Sequence, residues 1–295
     1  PMSNNTRVLL RARPAPAALR RPPQPAAVIA APAAIRRPPL PAAVIAALAL
    51  LAPAALAAQA TPTSILVRVT SHDAKIIGSG VGGVRVVIRN ADDGEILASG
   101  IQEGGTGNTQ SIMVDPRVRG GTVFDTEGAA GFVATLELER PTMIEIAVEG
   151  PLGSPGATQR ATKTMLVVPG KDVLGEGVVI ELQGLTVGLE SPAEGTTIVA
   201  GEPFAVIATV TMLCGCPTEP GGLWNADDME IVAVVLRGAD TVAEGPLSFA
   251  GQRSTYETEL TVHQSGRVEL LVVATNSRTG NSGMGSLVLG ISPAP

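Results

Sequence analysis

From Ile65 onward apolar side chains alternate with polar ones at a period of two, in short runs broken by Gly, Pro, Asn and Asp. That period belongs to half-buried β-strands, whose successive side chains point to opposite faces. Ile65-Val67-Val69, Val84-Val86-Ile88, Phe132-Ala134-Leu136-Leu138 and Ile144-Ile146-Val148 each predict an apolar face, and Glu137, Glu139, Glu145 and Glu149 predict the wetted one. Past Ala60 no stretch of a dozen residues repeats at 3.6, and Val, Ile and Thr fill the runs. The expected fold is therefore all-β, with helices no longer than single turns. A run near Gly177 to Leu182 closes a first unit, and Gln183-Gly184-Leu185 leads into a second. That second unit offers strands from Thr186, then Phe204-Val206-Ala208-Val210, Met229-Ile231-Ala233-Val235, Tyr256-Thr258-Leu260-Val262, Val268-Leu270-Val272-Ala274 and Ser286 to Ile291.

Residues 1–60 follow a different pattern. Arg36-Arg37 is followed directly by the apolar run Leu40 to Ala52, then by Ala55-Leu56-Ala57-Ala58-Gln59-Ala60, with no charge from Pro38 to Val67. A basic stretch, an apolar core and small-x-small sites ending at Ala57 or Ala60 are the parts of a secretory signal peptide. The expectation is export, to the periplasm, the cell surface or the medium, with loss of this segment. The alternative is an uncleaved membrane anchor, since about 20 apolar residues span a bilayer; Pro41, Pro53 and the Ala-rich composition weigh against it. Residues 20–31 (RRPPQPAAVIAA) and 36–47 (RRPPLPAAVIAA) are near-duplicates at a period of 16. Two Pro-rich copies cannot bury a core, so they read as a low-complexity extension of the leader. The expected organisation is this leader over 1–60, one β-sandwich over 61–184 and another over 185–295.

Three pieces of the first unit resemble the transthyretin-like or carboxypeptidase-regulatory-like β-sandwich. They are Val81-Gly82-Gly83-Val84-Arg85-Val86-Val87-Ile88, Asp125-Thr126-Glu127-Gly128-Ala129-Ala130-Gly131-Phe132 and Met143 to Gly150, with Met143-Ile144 where that family usually has an aromatic. The second unit resembles bacterial Ig-like domains through Leu189-Glu190-Ser191-Pro192-Ala193-Glu194-Gly195, Ala200-Gly201-Glu202-Pro203 and the ending Val273 to Gly283. About seven strands in roughly 110 residues also suits an Ig-like sandwich. Both resemblances imply scaffolds that serve as adhesive, spacer or assembly modules on exported proteins, with no catalytic residues to carry over. The implied partner is a protein of the envelope or cell surface. Scaffold alone does not fix function.

Charge and composition narrow the classes further. The net charge is -6, but residues 1–60 hold seven Arg and no acid, leaving 14 basic against 27 acidic side chains from Thr61 onward. The body is thus about -13, which excludes nucleic acid as the expected partner. Four Phe, one Trp and one Tyr are too few for rows of stacking platforms. With two His and no convergent acid–base set in the sequence, an enzyme is not expected.

One cluster stands out: Met212-Leu213-Cys214-Gly215-Cys216-Pro217, followed by Trp224 and Asp227-Asp228-Met229. In an Ig-like register this segment leaves strand B and forms the B–C loop. Cys214, Cys216 and Met212 are soft ligands suited to copper as Cu(I), and the Trp224 indole can cap a cation. The other readings are a local Cys214–Cys216 disulfide in an oxidising compartment, a thiol redox pair, or packing with Trp224 in a partner-binding loop. Asp92-Asp93-Gly94 and Asp227-Asp228 supply oxygens for calcium without completing a ligand loop, and Asp-Asp-Gly is also ordinary turn chemistry. Gly78-Ser79-Gly80-Val81-Gly82-Gly83 fits G-x-G-x-x-G, but a strand follows where a nucleotide site needs a helix. Gly280-Asn281-Ser282-Gly283 looks like a serine nucleophile turn, yet only 13 residues follow Ser282, and His72 belongs to the other unit. His72 and His263 are expected in solvent. The Gly-rich tract from Gln102 to Gly121 reads as a long connection, either a binding loop or a disordered one.

Overall fold

The computed structural model describes residues 59–295, and the leader expected over residues 1–60 lies almost wholly outside them. β1 (Thr61–Ser71) is the middle of a three-stranded sheet, antiparallel to β4 (Phe132–Leu138) and parallel to β7 (Val173–Leu182). Facing it is a four-stranded antiparallel sheet in the order β3 (Ile96–Gln102), β2 (Val84–Asn90), β5 (Thr142–Gly150), β6 (Gln159–Val167). The apolar phases of the sequence meet between these sheets: Ile65, Val67 and Val69 with Ala134, Leu136 and Leu138 on one side, Val84, Val86, Ile88, Ile144, Ile146 and Val148 on the other. All are buried, as alternating strands of a two-layer sandwich require.

After Gly184 the chain builds a second pair of sheets. One has the order β13 (Ser248–Phe249), β14 (Thr255–Thr261), β10 (Pro203–Met212), β8 (Leu185–Ser191). The other has the order β12 (Asp240–Pro246), β11 (Met229–Arg237), β15 (Gly266–Asn276), β16 (Asn281–Ser292), β9 (Thr197–Val199). Lettered along the chain, these are D-E-B-A and C′-C-F-G, with the A strand split so that β9 pairs in parallel with β16. That is the strand order of an immunoglobulin sandwich. Phe204, Val206, Ala208 and Val210 pack inward, as do Ile231, Ala233, Val235, Val268, Leu270, Val272 and Ala274, and all are buried. The core does not stop between the two sandwiches. Buried side chains of both halves form one continuous cluster through Leu182 and Leu185.

The stretch after β3 is more than a connection. Gln102 is fully buried; its Oε1 accepts from the Val69 amide at 2.7 Å, and its Nε2 donates to the carbonyls of Val69 and Ile77. From Glu103 to Gly131 the chain folds back over the outer face of β1, making a single π-turn at Gln110–Val114. Beneath it Ile76, Ile112, Phe124 and Ala130 form a small second core. Arg68, on the outward phase of β1 and only 5% exposed, ties the excursion down. Its guanidinium donates to Ala129 O and Ala130 O and pairs with Asp125 at 2.9 Å. Glu176 accepts the amides of Val123 and Phe124. The first part of the expected loop, residues 102–112, is thus bonded onto the first sandwich, with Gly104 held by Ser79 and Thr109 by Lys75, whereas residues 114–121 are exposed.

Candidate functional site: the joint between the sandwiches

The Met212–Asp228 segment leaves β10 as the B–C loop and is turned onto the first sandwich. Met212 N bonds Cys216 O at 3.1 Å and Gly215 N bonds Met212 O at 2.8 Å, closing a tight turn in which Gly215 has φ +77. A Cβ there would lie 2.8 Å from Val81 Cγ1, so the Val81 side chain would have to shift, and the left-handed backbone already disfavours one. Val81 belongs to the 3-10 turn Ser79–Val81 ahead of β2. The sulfurs of Cys214 and Cys216 are joined, and both residues are buried, at 4% and 5% exposure. Joined sulfurs offer a soft cation no thiolate, and Met212 is itself buried in the core.

Further along, Thr218 is fully buried and shares its hydroxyl with Val210 O and the Tyr256 hydroxyl, at 2.8 and 2.7 Å. Glu219 anchors the loop from within: its amide donates to Trp224 O, its carbonyl accepts from Ala226 N, and its carboxylate holds Arg253 at 2.7 Å. Trp224, 8% exposed, then donates its Nε1–H to the backbone carbonyl of Asp73 at 2.9 Å. Asp73 sits at the turn after β1 with φ +53. The indole placed by the sequence in a ligand loop therefore reaches the neighbouring sandwich.

The F–G turn adds a second tie. Asn281, 1% exposed, accepts the Gly184 amide on Oδ1 at 2.9 Å and donates from Nδ2 to His72 O at 3.1 Å. Gln183 Nε2 reaches Thr279 O, and the Arg278 guanidinium lies 3.3 Å from Asp228 and 3.6 Å from Asp73. Linker, B–C loop and F–G turn thus converge on the His72–Asp73 turn. Gly283 packs so closely on Leu185 that a Cβ would collide with its carbonyl.

The remaining candidates sit in ordinary structural roles. Gly280 has φ +76 and opens β16, Ser282 is exposed, and the His72 ring is bonded to Glu181 at 2.7 Å. His72 is thus paired but still about a third exposed, at 33%, close to the solvated place expected of it, and His263 is exposed. Gly78–Gly83 is a strand connection, with Ser79 and Gly104 exchanging hydrogen bonds. Asp92 and Asp93 build the β2–β3 turn: Asn90 Oδ1 accepts from Asp92 N, and Asp93 Oδ1 accepts from Glu95 N. Asp227 N is capped by Asn225, and Asp228 is engaged by Arg278. Among the described residues no group of three His, Cys, Asp or Glu is placed to hold a metal ion. A cavity of about 400 Å³ opens beside the joint, with Asp73, Asp115, Arg117 and Glu181 on its polar side. These groups already have partners: Asp115 takes Gln110 Nε2, Glu181 takes His72, and Arg117 lies over the Phe124 ring at 5.7 Å.

What sequence reading missed is the second end of each contact. Trp224 stands out in the sequence and Asn281 is only one letter of the Gly280–Gly283 motif, whereas His72 O and Asp73 O are backbone atoms with no side-chain signature.

No protein-family model matches the chain, and no curated protein matches it. Solved structures with similar architecture include the fibronectin(III)-like modules of Clostridium thermocellum CbhA, at 14% identity over 79% of this chain and 95% of that one, with a TM-score of 0.28. They also include domains 4 and 5 of the S-layer protein SbsC, at 13% identity over 46% of this chain and 65% of that one, TM-score 0.24. An engineered protein is similar at 15% identity over 43% of this chain, TM-score 0.28, and the chain spans about a quarter of its length, 24%. At these TM-scores the likeness carries no functional argument, and the sandwich assignment rests on the strand order itself. Among the described residues no helix is long and apolar enough to cross a membrane.

Proposed function

We propose that the chain is an exported, non-enzymatic structural or interaction protein of the bacterial envelope or surface. In this reading residues 61–184 are a transthyretin-like sandwich, residues 185–295 an Ig-like one, and the two act as a single fixed unit presented to a protein partner. The observation that carries it is Asn281, whose buried amide bonds the linker through Gly184 and the first sandwich through His72 at once. A hinge between independent modules would leave such polar groups to water, and their burial with full pairing favours one fixed arrangement. Export is supported by the order of Arg36-Arg37, the apolar run and the small residues to Ala60, and by a cysteine pair of the kind that persists outside the reducing cytosol. The acidic body supports a protein partner over a nucleic acid.

Fractionation of the native cell with N-terminal sequencing tests the reading. A mature chain beginning at Ala58 or Thr61 in the periplasm or medium is the expected result. Recovery from the cytosol with residues 1–60 retained would overturn it.

A further inference from the structure

A disulfide that staples a fold does so by closing a long loop of the unfolded chain, and the effect shrinks with loop length. The Cys214–Cys216 bridge encloses one residue, so its consequence is local: it sets the shape of a single turn. That turn is the part of the B–C loop that meets the first sandwich. Gly215, between the two sulfurs, is seated on Val81, where one more carbon would lie 2.8 Å from Val81 Cγ1. Eight residues beyond Cys216, Trp224 makes the hydrogen bond to Asp73. Both cysteines belong to the core cluster that runs through the joint. On reduction the sulfurs must part from bonding to van der Waals separation. Both residues are buried, and in a closely packed interior such a change is passed to the neighbouring contacts.

We propose that Cys214–Cys216 is a redox latch: the disulfide holds the B–C loop against the first sandwich, and its reduction releases that loop and uncouples the two sandwiches. This rests on the reading of the two sandwiches as a single fixed unit. The reductant class is a dithiol, small or borne by a protein. One thiolate of the dithiol attacks a protein sulfur, forming a mixed disulfide and expelling the other as a thiolate, which takes up a proton. The second thiolate of the reductant then displaces the remaining protein sulfur, which is also protonated. The protein bridge has gained two electrons and two protons, and the reductant leaves as its own disulfide. Because both sulfurs are buried while the joint is closed, attack occurs on the opened form, and reduction then holds that form open.

The test uses the full chain with dithiothreitol as the dithiol probe. Three quantities are read: free thiols, the emission of Trp224, which is the only tryptophan in the sequence, and the rate at which a broad-specificity protease cuts at residues 183–185. The oxidised protein should emit as a buried indole and resist cutting. After reduction two thiols should titrate, the emission should move to the red, and linker cleavage should rise on the order of tenfold, the rise expected if loss of the latch costs the closed joint about 1.4 kcal/mol in a locally opening segment. The double variant Cys214→Ser, Cys216→Ser should behave as the reduced protein with or without dithiothreitol; if it does not fold, the wild-type measurements decide. Two free thiols with emission and cleavage unchanged would overturn the latch, and so would a bridge that dithiothreitol leaves intact in the folded protein. Those outcomes keep the linker resistant throughout; an oxidised protein whose linker is cut rapidly and whose Trp224 emits as an exposed indole before any reductant is added would instead overturn the fixed-unit reading beneath it.

Discussion

The indole Nε1 of Trp224 lies 2.9 Å from the backbone carbonyl of Asp73, a bond that spans 151 residues of sequence and joins the B–C loop of one sandwich to the first strand's turn in the other. Replacing it by Phe keeps an aromatic ring and removes the donor. Trp224→Phe should cost about 1 kcal/mol, the typical value for losing a hydrogen bond whose acceptor is only part-buried. Chemical denaturation checks the loss, and an unchanged far-ultraviolet spectrum checks that both sandwiches persist.

Gly215 combines two penalties that a pair of variants can separate. Gly215→Ala meets the Val81 side chain and also places a Cβ on a backbone with φ +77. The left-handed conformation alone costs an L-residue roughly 1–2 kcal/mol. Val81→Ala makes space for the new methyl without altering the backbone, so the double variant should recover part of the loss and retain the remainder. A thermodynamic cycle from four denaturation curves measures the coupling; a coupling of zero would show that the methyl never met Val81.

Asn281→Ala deletes both hydrogen bonds of the Asn281 amide at once, leaving the Gly184 amide and the His72 carbonyl without that partner, while the Gln183–Thr279 and Arg278–Asp73 contacts of the F–G turn remain. At about 1–3 kcal/mol for each orphaned group, the expected loss is at the upper end of single-site effects, roughly 2–5 kcal/mol. Asn281→Ser, too short to span both groups, should be nearly as costly. Denaturation monitored by Trp224 emission gives the value.

How far the sequence could be read depends on where each residue's partner lies. The core strands were legible because their period is a local property: Ile65-Val67-Val69 and Val268-Leu270-Val272 state their inward faces in the order of letters. β3 and β6 were not, since edge strands such as ILASGIQ and QRATKTMLV are half-exposed on both faces and lose the alternation. The Gln102–Gly121 tract looked loose because the partners of its polar groups lie elsewhere in the chain: Val69 and Ile77 for Gln102, Ser79 for Gly104, Lys75 for Thr109 and Thr126 for Asn108. The CGC cluster was found by its rarity. That it faces Val81 across a joint follows only from the packing of the two sandwiches.

Arg68 offers a test of that distant satisfaction. Arg68→Ala removes the donors to Ala129 O and Ala130 O and the partner of Asp125, while leaving the Ile65-Val67-Val69 face untouched. The excursion over residues 103–131 should loosen before the sheets do. Hydrogen exchange should show lost protection there equivalent to about 2–3 kcal/mol, with β2 and β5 protected as before. Equal loss across all strands would mean that Arg68 supports the whole sandwich.

Tyr256 is the only tyrosine of the chain, so its ionisation can be followed without overlap. Burial raises its phenol above the ordinary value, against a smaller lowering by the Thr218 hydroxyl, and Asp227 adds to the rise. In the unfolded chain the same group titrates near 10. Between about 10 and the raised folded value the unfolded chain binds fewer protons than the native one, so stability must fall as pH climbs through that window. Lys75, lowered by its own burial, has the opposite sign: its unfolded form binds more protons just below the ordinary lysine value, and stability from it grows with pH. Comparing wild type with Tyr256→Phe cancels the lysine. The variant should lose about 1 kcal/mol at neutral pH, for the hydrogen bond with Thr218, and should lack the additional alkaline decline of wild type. Denaturation curves at neutral pH and above pH 10, with the phenolate band of folded wild type appearing later than that of the unfolded chain, check both halves; coincident folded and unfolded titrations would show that the phenol is not held buried.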